Sequence, residues 1–265
     1  MVAQFSVTPQ TADKVLAKSP YSLLRQADYN PRKLQQDGWW VGYYLTGNGT
    51  ASGLRVVKSP KAVYKEKTRY QRLAEKVQSR IIMAHLRAAS NPLKLPKSEL
   101  IGKTHTQPFH ARNILFTHNG TLLSPVEVRK NLGKYSQKLK GKNDSEILFW
   151  NLYKHYRKSG DILEAFKACE KELTAINPAK SYRGLNVLWS DGRKLFAFSN
   201  YPSKSPALFN PRQRWGELTY AVSPMQLIVG SEKTAPGKKW KILKSSRALE
   251  AWIEGGKIRT RLHKL

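Results

Sequence analysis

The 265-residue sequence holds one cysteine, Cys169, so an intramolecular disulfide and any zinc site built from cysteines are excluded. The six histidines are then the only soft ligands available to a metal. No apolar run approaches the roughly 18 residues needed to span a bilayer, and residues 1–6 carry no basic segment leading into an apolar core. A soluble, cytoplasmic protein of a reducing compartment, with no membrane association, is the expectation. Acidic residues are also scarce. Eighteen Asp and Glu stand against 47 Lys and Arg, giving a formal charge of +29.

What is present is enough for a core. Forty per cent of the residues are apolar, and a chain of this length buries roughly three quarters of its unfolded surface, which excludes disorder throughout and suggests a single domain over residues 1–265. Short runs rich in β-branched and aromatic residues recur at 3–7, 40–45, 54–57, 80–85, 113–116, 185–189, 194–198, 220–222 and 227–230. Two of them bracket Ser190-Asp191-Gly192-Arg193, a hairpin signal. Helical spacing places Tyr70, Leu73 and Val77 on one face of residues 67–79, and Ile147, Leu148, Leu152 and Tyr156 on another after Asn143. A third helix carries Ile162, Phe166, Cys169, Leu173 and Ile176 and ends before Asn177-Pro178, which makes Cys169 a small core residue. Hairpins outnumber strand-helix-strand crossovers, so the class is α+β with antiparallel sheets. Residues 129–142, with six basic side chains and no acid, read as an exposed basic loop. Residues 47–52 read as a turn and 202–211, with three prolines, as a surface loop.

Five motifs follow one another in order: Asp37-Gly38-Trp39, Ala84-His85-Leu86-Arg87, Thr106-Gln107-Pro108-Phe109, the run from Phe116 through His118-Asn119-Gly120 to Leu122, and Asn143-Asp144-Ser145-Glu146. Together they resemble the class II glutamine amidotransferases, in particular the stand-alone branch. Residues 185–192 and Val229-Gly230-Ser231-Glu232 are similar to the late strands of that family, so the resemblance covers nearly the whole chain. It implies an N-terminal-nucleophile fold, a four-layer αββα sandwich in which two antiparallel sheets are stacked and covered by helices. It implies glutamine or a γ-glutamyl compound as ligand and no cofactor. In such enzymes an N-terminal cysteine attacks the glutamine amide while its own α-amino group shuttles the proton. By the same resemblance the Asn119 side chain and the Gly120 N–H would form the oxyanion hole, Arg87 would fork onto the substrate carboxylate, and Asp144 would pair with its ammonium.

The sequence departs from that pattern at the nucleophile, because Val2 stands where the family has cysteine. Trp40 replaces a glycine and Gln107 a histidine. A family member that keeps the pocket but has lost catalysis, and acts by binding or interaction, is the favoured reading. A working glutaminase whose cysteine has been replaced by substitution is a second.

Simpler roles exist for each residue. Asn119-Gly120 also fits a two-residue hairpin turn. Asp144 follows Asn143, which with Glu146 three residues on looks like a helix cap with its capping-box partner, and Arg87 could be a surface ion-pair former. His85, His105, His110 and His118 have no acid among them to complete a metal set. The charge supports a third reading, a basic module for nucleic acid or another polyanion, with aromatics interleaved among cations at 64–70 and 212–215. The protein partner is not specified by the sequence.

Overall fold

The computed structural model describes residues 1–29, 34–47, 50–178, 181–201, 213–214 and 216–265, with backbone alone at 46–47 and 50–52. The strand-forming runs assemble into two antiparallel sheets. The first holds β1 (Val2–Gln10), β2 (Trp39–Gly47), β3 (Thr50–Ser59), β4 (Ser79–Leu86), β9 (Leu218–Val222), β10 (Gln226–Gly230) and β11 (Lys241–Leu243), in the order β11-β9-β10-β1-β4-β2-β3. The second runs β13-β12-β8-β7-β6-β5, with β5 Phe109–Ala111, β6 Ile114–Leu122, β7 Tyr182–Ser190, β8 Leu195–Ser199, β12 Arg247–Glu254 and β13 Lys257–Lys264.

The period-two alternation of each strand divides its side chains between layers. Ala3, Phe5, Met83 and Val229 of the first sheet meet Leu115, Leu188, Ala197 and Leu249 of the second in the inter-sheet core. Val2, Val41, Ala84 and Ile228 face the other way, against a helical layer with α1 (Leu23–Gln26) and α2 (Lys67–Lys76) that contributes Leu24, Tyr70 and Ala74. Phe116, Val187, Trp189 and Phe198 turn outward from the second sheet toward α4 (Pro125–Lys130), α5 (Asp144–Ser159) and α6 (Ile162–Ile176). The short α3 (Lys97–Leu100) lies between β4 and β5 in the chain. The result is the four-layer αββα sandwich expected from the sequence.

Local chemistry sets the element ends. Asn143 Oδ1 accepts from Ser145 N at 2.8 Å to cap α5, which stops at Gly160 in the left-handed region (φ 74°). Asp161 Oδ1 accepts from Leu163 N and Glu164 N at 2.7 and 3.1 Å to open α6, and such caps stabilise by about 1 kcal/mol each. Phe166 of α6 stacks on Phe198 at 4.2 Å and 7°, and Cys169 is buried one turn further along. The Ser190–Arg193 hairpin forms as expected, with Asp191 Oδ1 accepting from Arg193 N and Lys194 N at 2.8 Å.

Three expectations are corrected. Residues 129–142 are not one loop: α4 runs to Lys130, a 3₁₀ turn occupies Gly133–Lys138, and between them Leu132 is buried in the outer core. Glu146 is not a capping-box partner, because its two oxygens accept from Lys140 N and Gly141 N at 2.9 Å. The hairpin of β12 and β13, turning at Gly255 and Gly256 (φ 56° and 67°), has no strong apolar signal in its second arm, Lys-Ile-Arg-Thr-Arg-Leu-His-Lys, and was not read as strand. The surface loop expected at 202–211 lies outside the described residues, as does part of the turn expected at 47–52.

Candidate functional site

The first strand delivers the chain's beginning to the end of the inter-sheet layer. Val2 sits between Gly230 of β10 and Ala84 of β4, and β6 brings Asn119 and Gly120 to the same place. They are not a hairpin turn. Both lie within β6, paired with Asn186 and Leu185 of β7, and the register slips just after Gly120. A cavity of about 370 Å³ opens there, lined by Met1, His85, Ser90, Asn119, Gly120 and Ser231, and by Arg183 and Glu232.

The polar centre of the wall is Ser231. Its hydroxyl oxygen lies 3.4 Å from the Met1 α-amino nitrogen and accepts from Asn119 Nδ2 at 3.1 Å. Burial holds the amine down to about 5, against the opposite pull of Glu232. Burial likewise pushes His85 well below its ordinary range, with the amino terminus, Arg87 and His118 acting in the same direction. The amine and the His85 imidazole are therefore neutral at neutral pH.

The amine has a checkable consequence. Its ordinary value is 8.0 and its folded value about 5, so between these the unfolded chain carries the extra proton and stability rises with pH. We expect the unfolding free energy measured by urea titration to rise between pH 5 and pH 8, by an amount on the order of 4 kcal/mol for this group. An N-acetylated chain, compared under the same conditions, should lack that component.

Behind Asn119 the backbone is fixed by buried side chains. Gln107 donates from Nε2 to His118 O at 2.9 Å and accepts at Oε1 from His118 N and Thr117 Oγ1, each at 2.8 Å. His118 bridges Ser145 Oγ (2.9 Å from Nδ1) and Gly184 O (3.2 Å from Nε2). The carbonyl requires the proton on Nε2, leaving Nδ1 to accept from the Ser145 hydroxyl. Burial depresses this imidazole, opposed by Asp144 and the Gly184 carbonyl. Only glycine fits at 120, since a Cβ there would stand 2.0 Å from Gly184 O.

Arg87 and Asp144 do not face one another across the cavity, and neither lines it. Arg87 leaves β4 buried, its Nη1 donating to Leu100 O at 2.8 Å. Its backbone is latched to the first motif: Arg87 N donates to Gly38 O at 2.8 Å and Asp37 N to Arg87 O at 2.9 Å. Asp37 Oδ2 accepts from Ala89 N at 2.8 Å. The Asp144 carboxylate accepts from Ser90 Oγ at 3.0 Å and Leu122 N at 2.9 Å. The two therefore support the wall from behind, with Ser90 as the link between Asp144 and the cavity.

The Val2 side chain belongs to the outer helical core, and Met1 rather than Val2 reaches the cavity. Trp40 is fully buried in the inter-sheet core and does not line the cavity. Cys169 is buried among α5 and α6 residues, where burial pushes its thiol up beyond the usual range. Ser231, Ser90 and Arg183 were not singled out from the sequence, although Ser231 was legible as part of Val229-Gly230-Ser231-Glu232. Among the described residues, no group of three His, Cys, Asp or Glu side chains is placed to hold a metal ion, and no helix is long and apolar enough to cross a membrane.

An αββα sandwich in which the Asn119-Gly120 pair of β6 lies beside the start of β1 has the N-terminal-nucleophile-hydrolase-like architecture. Its solved relatives include a glutamine aminotransferase class-II domain protein from Silicibacter pomeroyi, with TM-score 0.64 at 17% identity, covering 98% of this chain and 96% of that one. The glutamine phosphoribosylpyrophosphate amidotransferase of B. subtilis aligns with TM-score 0.62 at 13% identity, over 98% of this chain and 48% of that one. In sequence, residues 23–212 match the class-II glutamine amidotransferases, and the chain belongs to that family. An uncharacterized protein of Methanocaldococcus jannaschii is 30% identical over 183 residues, 67% of this chain and 46% of its own length. A glutamine–fructose-6-phosphate aminotransferase (isomerizing) of Sulfurisphaera tokodaii is 26% identical over 191 residues, 71% of this chain and 28% of its own. The chain thus spans less than half the length of either relative.

Proposed function

We propose that this protein binds glutamine or a γ-glutamyl compound at the Asn119 cavity without hydrolysing it. The observation that carries this reading is the combination at one wall: Asn119 and Gly120 line the cavity and no thiol does. The volume, about 370 Å³, falls at the lower end of the roughly 300–1,000 Å³ typical of small-ligand sites. The ligand's amide end lies at Asn119, and its α-carboxylate meets Arg183, the exposed cation of the lining, rather than the buried Arg87. Arg87 and Asp144 act as positioning residues for residues 86–90 and for Ser90. The chain is a single domain in this reading, and loss of Cys at position 2 removes it from catalysis while leaving a binding or interaction role.

Calorimetric titration with L-glutamine and a γ-glutamyl dipeptide tests this. Arg183→Gln should weaken binding by about tenfold or more, as expected for a charge-assisted hydrogen bond, and Asn119→Ala by a smaller factor. No heat from either ligand at millimolar concentration, in a chain whose fold is intact by circular dichroism, would remove the basis of this reading.

A further inference from the structure

A second cavity, of about 570 Å³, shares no lining residue with the first. It lies where β3, the segment 103–110, the residues after the 3₁₀ turn and the first turns of α5 meet. Lys58, Lys103, Lys138 and Lys140 converge on it, with His110 beside them. Its one acidic lining residue, Glu146, has both oxygens engaged by backbone N–H groups of Lys140 and Gly141.

These cations are held together against their own repulsion. Lys58 is half-buried with its Nζ donating to Thr106 O at 2.8 Å. Burial lowers it to about 8, Lys140 and Lys103 press in the same direction, and Glu146 opposes them. His110 is depressed by burial and then by Lys58 and Lys140. Lys103, Lys138 and Lys140 make no side-chain hydrogen bond or ion pair among the described residues. Four lysines around a concavity with a single carboxylate among them, itself held by backbone N–H groups, leave an excess of positive charge that suits an anion.

The rest of the lining is Thr104, Pro108 and three aromatic residues. Phe109 and Phe149 are buried and Trp150 is half-buried at the wall, and Trp150 is held in place by Tyr135, stacked at 6.0 Å and 21°, and by Phe149 edge-on at 4.9 Å. Cations at one part of a cavity and fixed rings at another select a ligand that carries an anion and a flat apolar group together. We propose that this cavity binds a nucleoside phosphate, the phosphate among the four lysines and the base against the half-buried Trp150 ring. Free nucleotides and the 5′-terminal nucleotide of a single-stranded RNA share that chemistry.

The whole chain is titrated with AMP, adenosine, inorganic phosphate and a 5′-phosphorylated oligoribonucleotide at fixed salt. AMP should bind at least about tenfold tighter than phosphate or adenosine, since it alone engages both parts. The exposed pair Lys138→Gln/Lys140→Gln should lose about tenfold, while Lys158→Gln/Lys171→Gln, exposed on α5 and α6, should lose nothing. If AMP is silent but the oligonucleotide binds and depends on Lys138 and Lys140, the ligand is a strand end and the site stands. The site is overturned if inorganic phosphate matches AMP, if oligonucleotide binding falls equally in both lysine pairs, or if nothing binds.

Discussion

Incubated with glutamine, this chain is expected to release no measurable glutamate. Thiol chemistry needs a thiol at the oxyanion donors, and the single cysteine is buried in another layer of the sandwich with its proton held by burial. Valine at position 2 offers neither proton nor lone pair. Loss of a covalent nucleophile in a comparable hydrolase costs on the order of a million-fold, leaving the acceleration due to binding and the oxyanion hole. Val2→Cys in a chain that retains Met1 should remain inactive, because side chain 2 lies in the outer helical core while Met1 occupies the cavity wall. An enzyme-coupled glutamate assay checks both proteins. Turnover by the unsubstituted chain that survives repurification and is unchanged by Cys169→Ala would show that a different nucleophile operates here.

The second large effect is on stability. Gly184→Ala should destabilise the fold by roughly 2–5 kcal/mol, the sum of a left-handed backbone and an overpacked neighbour. Gly184 has φ 78°, and an added Cβ would fall 1.9 Å from Tyr201 Cδ2, inside a ring that is itself buried. The ring cannot retreat toward Gly216, where a Cβ position lies 2.5 Å from Tyr201 Cγ. Gly133→Ala is the control: φ is 56° but nothing lies within 4 Å of its Cβ, so only the backbone cost of about 1 kcal/mol applies. Urea unfolding of the two variants should separate them clearly. Equal midpoints would mean that the Tyr201 packing is far looser than the structure shows.

Much of the fold was legible because the inter-sheet layer imposes an alternation on strands such as β1, with Ala3 and Phe5 inward, and because β4 and β7 carry apolar residues on both faces. The edge hairpin of β12 and β13 was not. Its outer arm packs few side chains, so its pairing comes from backbone hydrogen bonds that composition does not report. At the site, Asn119 and Gly120 were recoverable from their neighbours in the sequence order. Their membership of a strand was not, since Asn-Gly is equally the commonest hairpin signal. The buried partners of Arg87 and Asp144 were not legible: each is reached by backbone groups from distant segments, Leu100 and Leu122 among them, and no spacing along the chain encodes such partners.

The strand that closes the second sheet also governs how copies of this protein meet. An exposed sheet edge is a template for another strand, and β13 presents Lys257, Arg259 and Arg261 along that edge. Two such edges approaching in antiparallel register bring rows of cations within a few ångströms of one another. At low ionic strength the encounter is repelled before backbone bonding begins, and multivalent anions that bridge the rows remove that protection. Concentrated solutions of this protein should accordingly stay dispersed in dilute monovalent salt and turn turbid first with polyphosphate.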